Sequence, residues 1–422
     1  MTSELRRTCL YNTHHEAGAS FTNFGGWDMP LRYSSDVGEH HAVRRRAGIF
    51  DLSHMGELSI NGPEAAQALD YALVGSVSTV PLGRAKYMMI CHPNGGIMDD
   101  LIVYHLGDDH YMVVPNAGNR ERVAAAIIER CADFDCTVED VSLSTALIAV
   151  QGPLAVHIMA PAITKAEIYP AAMRPVAKTD GVIDDNSHEP IHLDGNGLTA
   201  YLRYYAACNA VIDGCPVVVA RTGYTGEDGF EVFCSTDDAA KLWSVFMAIG
   251  SQIDPIDHGI PESGPALVPC GLASRDSLRL EAGMPLYGHE LSDELTPFDA
   301  GLATVIKEEG DFVGKEALEQ RACHEGRAET YVLVALVGEG RRAARAGYEV
   351  YSADHGDEPV GVVTSGLLSP TLGYPIALVR MMPYTSHEPT WPAGAVVEVD
   401  VRGKRMPMHV VTPPFYKRPK KA

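Results

Sequence analysis

Apolar and polar residues alternate along this chain in two different rhythms. Residues 85–116, "AKYMMICHPNGGIMDDLIVYHLGDDHYMVVPN", predict three consecutive antiparallel strands. Asn94-Gly95 makes the first turn and Gly107-Asp108 the second. "SSDVGEHHAVRRRAG" predicts a helix, with Asp36 as N-cap and Glu39 three residues on. "GNRERVAAAIIERCA" predicts another, with Val123, Ile127 and Cys131 on one face. "CPVVVARTGYTGEDGFEVFCS" has two apolar runs around Thr222 to Gly229, hence a hairpin. "CGLASRDSLRLEAGMPLYGHEL" predicts a helix from about Leu272 to Ala282, closed by Gly283. Residues 178–200 lose periodicity and gain Gly, Asp and Asn, which predicts a long surface loop, and residues 254–269 form a second such segment. From about Ala328 onward, short alternating runs separated by turn residues predict a separate C-terminal β-barrel or sandwich.

Composition narrows the class of protein. A chain of 422 residues should hold two or three domains, and 46% hydrophobic content suffices for a sizeable core. No apolar run reaches the about 18 residues of a membrane span, and the N-terminus lacks the pattern of a secretory signal. The cytoplasm is the expected location. Nine cysteines stand singly, none at the two-residue spacing of a zinc or redox site. Most lie in apolar runs, so buried reduced thiols are expected. The net charge of −21 disfavours nucleic acid and anionic membranes as partners. The tail Tyr416–Ala422, with four basic residues in seven, runs against that field as a solvated terminus or a docking point for an acidic partner.

Three stretches could carry chemistry. In "RTGYTGEDGFE" the glycines miss the dinucleotide fingerprint, and Glu227 and Asp228 would repel a phosphate. Period-two alternation puts Phe230, Val232 and Cys234 on one strand face, with Glu231 and Phe233 on the other. Glu231 is then either a solvent-facing strand residue or a carboxylate for a planar, amide-bearing heterocycle. In "GGIMDDLIVY" the adjacent Asp99 and Asp100 face opposite ways among apolar neighbours. One of them is expected to be desolvated, with a raised pKa and either a catalytic or a turn-capping role. In "ASRDSLRLEAG" Asp276 and Arg279 can pair on the surface, whereas Arg275 has no acid three or four residues away. His40, His41, His54 and His92 lie at no metal-ligating spacing, and no nucleophile elbow or catalytic cysteine signature occurs.

In this order the three stretches resemble the aminomethyltransferase (T-protein) family of the glycine cleavage system. The resemblance covers nearly the whole chain, from "LYNTHHEAGASFTNFGGWDMPLRY" through "GIFDLSHMGEL", "VPNAGN" and "FVGKEAL" to "TPPFYKRP". It implies an α+β, three-domain cloverleaf around a folate channel. Two interleaved antiparallel α+β domains would occupy residues 1–310, with an insertion near 180–198. A C-terminal β-barrel-like domain would occupy 325–422. It implies tetrahydrofolate as the folate, lipoylated H-protein as the partner, and no metal. Motif by motif, it puts the catalytic aspartate at Asp100, the folate asparagine at Asn116 and the pterin-binding glutamate at Glu231. The family's arginine falls at Arg275, its C-terminal tyrosine at Tyr416, and an apolar pocket wall at Met55. A related stand-alone folate-dependent demethylase is the alternative. The Lys-Gly-Cys-Tyr-x-Gly-Gln motif of the iron–sulfur assembly relatives does not occur.

Overall fold

The alternating runs build strands at the expected places. A computed structural model describes residues 5–174, 188–261, 264–323, 331–384 and 390–419. By contacts the chain forms two units: Met1–Met88, Leu101–Gly223 and Glu227–Ser274 make the first, and Met89–Asp100, Tyr224–Gly226 and Arg275–Ala422 the second.

The first unit holds an eight-stranded sheet with the strand order 191–193, 163–168, 207–212, 215–220, 229–235, 145–151, 47–51, 267–269. Every described pairing in it is antiparallel except the last, where Leu267–Pro269 runs parallel to Ala47–Ile49. The helices Ala155–Ala162, Gly195–Tyr201 and Ala239–Gln252 accompany it. Ile148, Val150, Val219, Phe230, Ile158, Leu198 and Phe246 are all fully enclosed in the shared core. A five-stranded sheet, in the order 85–91, 97–107, 110–115, 58–61, 137–140, contains the three predicted strands, and its described pairings are antiparallel.

Local chemistry sets the element ends. The helix Asp36–Arg45 is capped by Ser35, whose hydroxyl accepts from the Gly38 N–H at 3.3 Å, and not by Asp36. Asp36 sits one residue inside, where its charge suits the positive end of the helix. Glu39 does not close a capping box. Its carboxylate accepts from the N–H groups of Tyr33 (2.7 Å), Ser34 (2.9 Å) and Gly271 (2.9 Å), tying three segments together. The helix Arg120–Arg130 buries Val123 and Ile127, followed by Cys131, as its periodicity predicts.

The loop expected over 178–200 is partly overturned. Residues 175–187 lie outside the described ones, but Ile191–Leu193 pairs with Ala166–Ile168, and Gly195–Tyr201 is helical. Asp194 caps that helix from Gly197 at 2.8 Å, and Leu198 is driven into the core. Gly195 is required by packing, since a Cβ there would lie 2.0 Å from the Ala160 carbonyl oxygen. The residues that read as loop punctuation are thus a cap and a close approach. In the segment 254–269 the structure likewise places a short 3-10 turn, Pro255–His258, and the strand Leu267–Pro269.

The second unit contains the predicted C-terminal barrel. Six antiparallel strands, 332–338, 375–381, 359–368, 349–351, 396–400 and 405–411, close on themselves in that order. Val334, Leu336, Val350, Val379, Val399 and Trp391 fill the interior. Outside it, Leu280 of the helix Leu272–Glu281 packs with Ala335, Ile376 and Leu378. Gly283 ends that helix in the left-handed region (φ +69°), its N–H reaching the Leu280 carbonyl at 2.9 Å.

Candidate functional site

The strands Cys215–Ala220 and Gly229–Ser235 pair antiparallel with Ala220 opposite Glu231. The loop between them is shaped by a side chain from the neighbouring strand. The Gln151 amide donates to the carbonyls of Thr222 (3.0 Å) and Phe230 (3.4 Å). A Cβ on Gly223 or Gly229 would lie within 2.1 or 2.5 Å of that amide, so both glycines are steric necessities. The loop acids are spent on structure. Asp228 takes a two-pronged ion pair from Arg221 at 2.9 and 2.6 Å, and buried Glu227 pairs with buried Arg44 at 3.1 Å.

Glu231 is only 7% exposed, which removes the solvent-facing reading. The Thr222 hydroxyl donates to its carboxylate, and the Tyr104 hydroxyl lies 3.2 Å from the Thr222 oxygen. Tyr104 is fully buried with its ring edge-on to Phe233, centroids 5.6 Å apart. Burial pushes the Tyr104 phenol well above its ordinary pKa. The Glu231 charge adds to that push, and the Thr222 hydrogen bond offsets part of it. Tyr104 therefore stays protonated as a donor. Tyr204 and Tyr205, rings edge-to-face at 4.8 Å, add their fields to the same phenol, with Tyr205 held at φ +56°.

Elsewhere in this unit Met55 and Asn116 are brought onto adjoining segments. The Gly56 N–H donates to the Pro115 carbonyl at 3.1 Å, and a Cβ on Gly56 would come within 2.8 Å of the Pro115 ring. Both Met55 and Asn116 are half-buried.

The second unit carries the other expected residues. Asp99 is fully buried and Asp100 half-buried, so the more enclosed aspartate is the first of the pair. The Arg275 guanidinium lies 4.9 Å over the Tyr224 ring, and the Tyr224 hydroxyl donates to the Pro285 carbonyl. Burial raises the Tyr224 phenol, as does the charge of Asp100, against the opposing pull of Arg279 and Arg275. Asp100, Arg275 and Tyr224 thus form one electrostatic group. Tyr416 is half-buried, its N–H donating to the Glu281 carbonyl at 2.8 Å. Arg279 meets Asp276 at 2.8 Å as predicted, but it is not a surface residue. It is 1% exposed and also binds Glu290 at 2.9 Å and Ser365 at 2.7 Å. The buried partners Glu290 and Ser365 hold its guanidinium inside. Among the described residues no three His, Cys, Asp or Glu side chains cluster as metal ligands.

Two family models match the chain. The GCVT N-terminal domain covers residues 10–183 and 194–309, and the glycine cleavage T-protein C-terminal barrel domain covers 332–417. The chain belongs to the glycine cleavage T-protein family. Similar relatives named aminomethyltransferase come from Cutibacterium acnes (50% identical, spanning 98% of this chain and 99% of that one) and Streptomyces coelicolor (48%, spanning 99% of each). The solved aminomethyltransferase T of the Bartonella henselae glycine cleavage system is 30% identical and superposes with a TM-score of 0.78. It covers 98% of this chain and 99% of its own. The chain is accordingly an α+β enzyme of the aminomethyltransferase kind, as the motifs implied.

Within this T-protein family member, sequence reasoning passed over Tyr104, Thr222 and Tyr224. Tyr104 was legible in part, because the alternation that singles out Asp100 also selects the position four residues on. Thr222 and Tyr224 carried no signal, since their roles arise from how a hairpin loop folds back.

Proposed function

We propose that the chain transfers the one-carbon unit of S-aminomethyldihydrolipoyl H-protein to tetrahydrofolate, giving 5,10-methylenetetrahydrofolate and ammonia, in the cytoplasm. The observation that carries the folate half of this reading is the buried Glu231 carboxylate, held in place by Thr222 and Tyr104. A carboxylate is acceptor-only and can take two parallel N–H bonds. That fits the amino and ring N–H groups of a pterin, which would repay the cost of burying the charge.

The folate supplies the two secondary amines that accept the carbon. In the S–CH2–NH3+ adduct the carbon–nitrogen bond breaks and ammonia leaves. The carbon–sulfur bond breaks in turn, the sulfur departs as a thiol, and the carbon ends between the two folate nitrogens. The residues of this chain position and move protons. Glu231 fixes the pterin edge, Met55 offers an apolar wall, and Asn116 hydrogen-bonds the folate. Arg275, stacked on Tyr224, holds a folate oxygen, and Tyr416 contributes a further folate contact. Half-buried Asp100 orients the reacting nitrogens and takes up or returns a proton there.

The test is direct. Purified protein is supplied with tetrahydrofolate and aminomethyl-loaded H-protein, and ammonia and methylenetetrahydrofolate are measured. Equal yields of the two are expected; no product from folded protein would overturn the reading.

A further inference from the structure

A cavity of about 320 Å³ in the second unit is lined by Glu294, Leu295, Asp299, Arg321, Tyr331 and Arg380. Its hydrogen-bonding groups do not balance. Both Asp299 oxygens are engaged: one accepts from Arg321 at 3.0 Å, the other from the Thr296 N–H (2.8 Å) and hydroxyl (2.6 Å). Glu294, at the exposed rim, accepts from the Ser292 hydroxyl at 2.6 Å. That bond and a backbone N–H hold its carboxyl below the ordinary range. The donors are left over. Arg321 Nε is buried with no hydrogen-bond partner. Among the described residues the Arg380 guanidinium makes no direct hydrogen bond or ion pair; it lies 5.2 Å over the Tyr331 ring, and its charge reaches the Glu294 carboxyl only through space, helping to lower it.

We propose that this cavity binds a small oxyanion, the carboxylate or phosphate group of a free molecule, in addition to the aminomethyl-transfer site. Tyr331 covers one face of Arg380 and leaves its edge, the planar fork that matches two oxygens of a carboxylate or phosphate. A cation is disfavoured because two guanidinium groups line the cavity and both Asp299 oxygens already accept hydrogen bonds, and an apolar ligand because those guanidinium groups would be desolvated without compensation. The volume, near the lower bound of about 300 Å³ for ligand pockets, suits phosphate or a four-carbon dicarboxylate. Glu294 at the mouth opposes an anion, so binding is weak and depends on the arginine fork. The site stands on its own donors and acceptors and does not depend on folate or H-protein.

Isothermal titration of the full-length protein with inorganic phosphate and with succinate, against chloride of equal ionic strength, tests the site. Saturable binding of at least one probe is expected. Arg380→Met should weaken it by about tenfold or more. Arg380→Lys, which keeps the charge but loses the fork, should fall between, and Glu294→Gln should bind more tightly than the parent. Circular dichroism and unfolding midpoints confirm that each variant folds. Absence of saturable binding by either probe overturns the proposal. So does equal affinity in the parent and Arg380→Met, which would mark an adventitious ion only.

Discussion

Asp99 and Asp100 differ by one position in a strand and by their access to solvent: the first is fully enclosed, the second half-buried. A proton-moving group must be reachable by the reactants, so the proposed chemistry rests on Asp100. Asp100→Ala is expected to lower kcat by about a hundredfold or more, the usual scale for losing a positioned acid–base group. Tetrahydrofolate affinity, read by equilibrium titration, should change only a few-fold. Equal losses in both would make Asp100 a binding residue instead. Glu231 gives the complementary expectation. Glu231→Gln keeps the shape but replaces one acceptor with a donor, so folate binding should weaken by about tenfold or more. The unfolding midpoint should not fall, because the variant no longer buries a charge. A folate affinity unchanged in Glu231→Gln would detach the Thr222–Glu231 pair from substrate recognition. Sequence pattern could show that one acid of the Asp pair would be enclosed, and that Glu231 stood on a strand. It could not show that both faces of that strand are covered, because burial of the second face depends on distant segments.

At the scale of elements, the loop between the strands Cys215–Ala220 and Gly229–Ser235 is held by a glutamine 71 residues before Thr222 in sequence: Gln151 threads its amide between Gly223 and Gly229. Gly229→Ala would place a methyl 2.5 Å from that amide carbon. The expected cost is about 1–3 kcal/mol, the range for overpacking a filled site, read from denaturant midpoints. Because the clash is with Gln151 itself, Gly229→Ala combined with Gln151→Ala should cost less than the sum of the two single changes. Strict additivity would show that the methyl is accommodated elsewhere. The glycines and acids of this loop were visible in the sequence, yet their partners were not. Arg44 meets Glu227 across 183 residues of chain. Period and turn chemistry located the hairpins, the helix at Arg120–Arg130 and the barrel strands, all of which are specified locally. They misplaced the cap at Ser35 by one residue and missed the helix Gly195–Tyr201, where core burial of Leu198 outweighs a loop-like composition.

For the molecule as a whole, two buried carboxyl groups of the first unit shape stability against pH in opposite senses. Burial works against the charge of Asp51, but hydrogen bonds from His14 (2.9 Å), Thr8 (2.6 Å) and the Ser53 N–H (2.9 Å) win and hold its carboxyl below 3.8. Its folded pKa is depressed, so its contribution is present above the unfolded value and is lost as pH falls toward the folded one. Glu57 is the reverse. It is fully buried and neither carboxylate oxygen has a hydrogen-bond partner, so burial pushes it well above 4.5. Arg120 pulls it down and Asp140 pushes it up, without reversing that direction. A raised folded pKa means that its contribution is present below 4.5 and is lost as pH rises toward the folded value. Denaturant midpoints followed from about pH 3 to about pH 9 separate the two. Glu57→Gln, which does not titrate, should flatten the decline on the alkaline side of 4.5 and leave the acid limb in place. Asp51→Asn should do the opposite, flattening the loss below 3.8. It should also lower stability at neutral pH by about 3 kcal/mol, since buried His14 and Thr8 lose their charged partner. A Glu57→Gln curve parallel to the parent at every pH would mean that Glu57 is ionised in the folded protein, its charge balanced by Arg120.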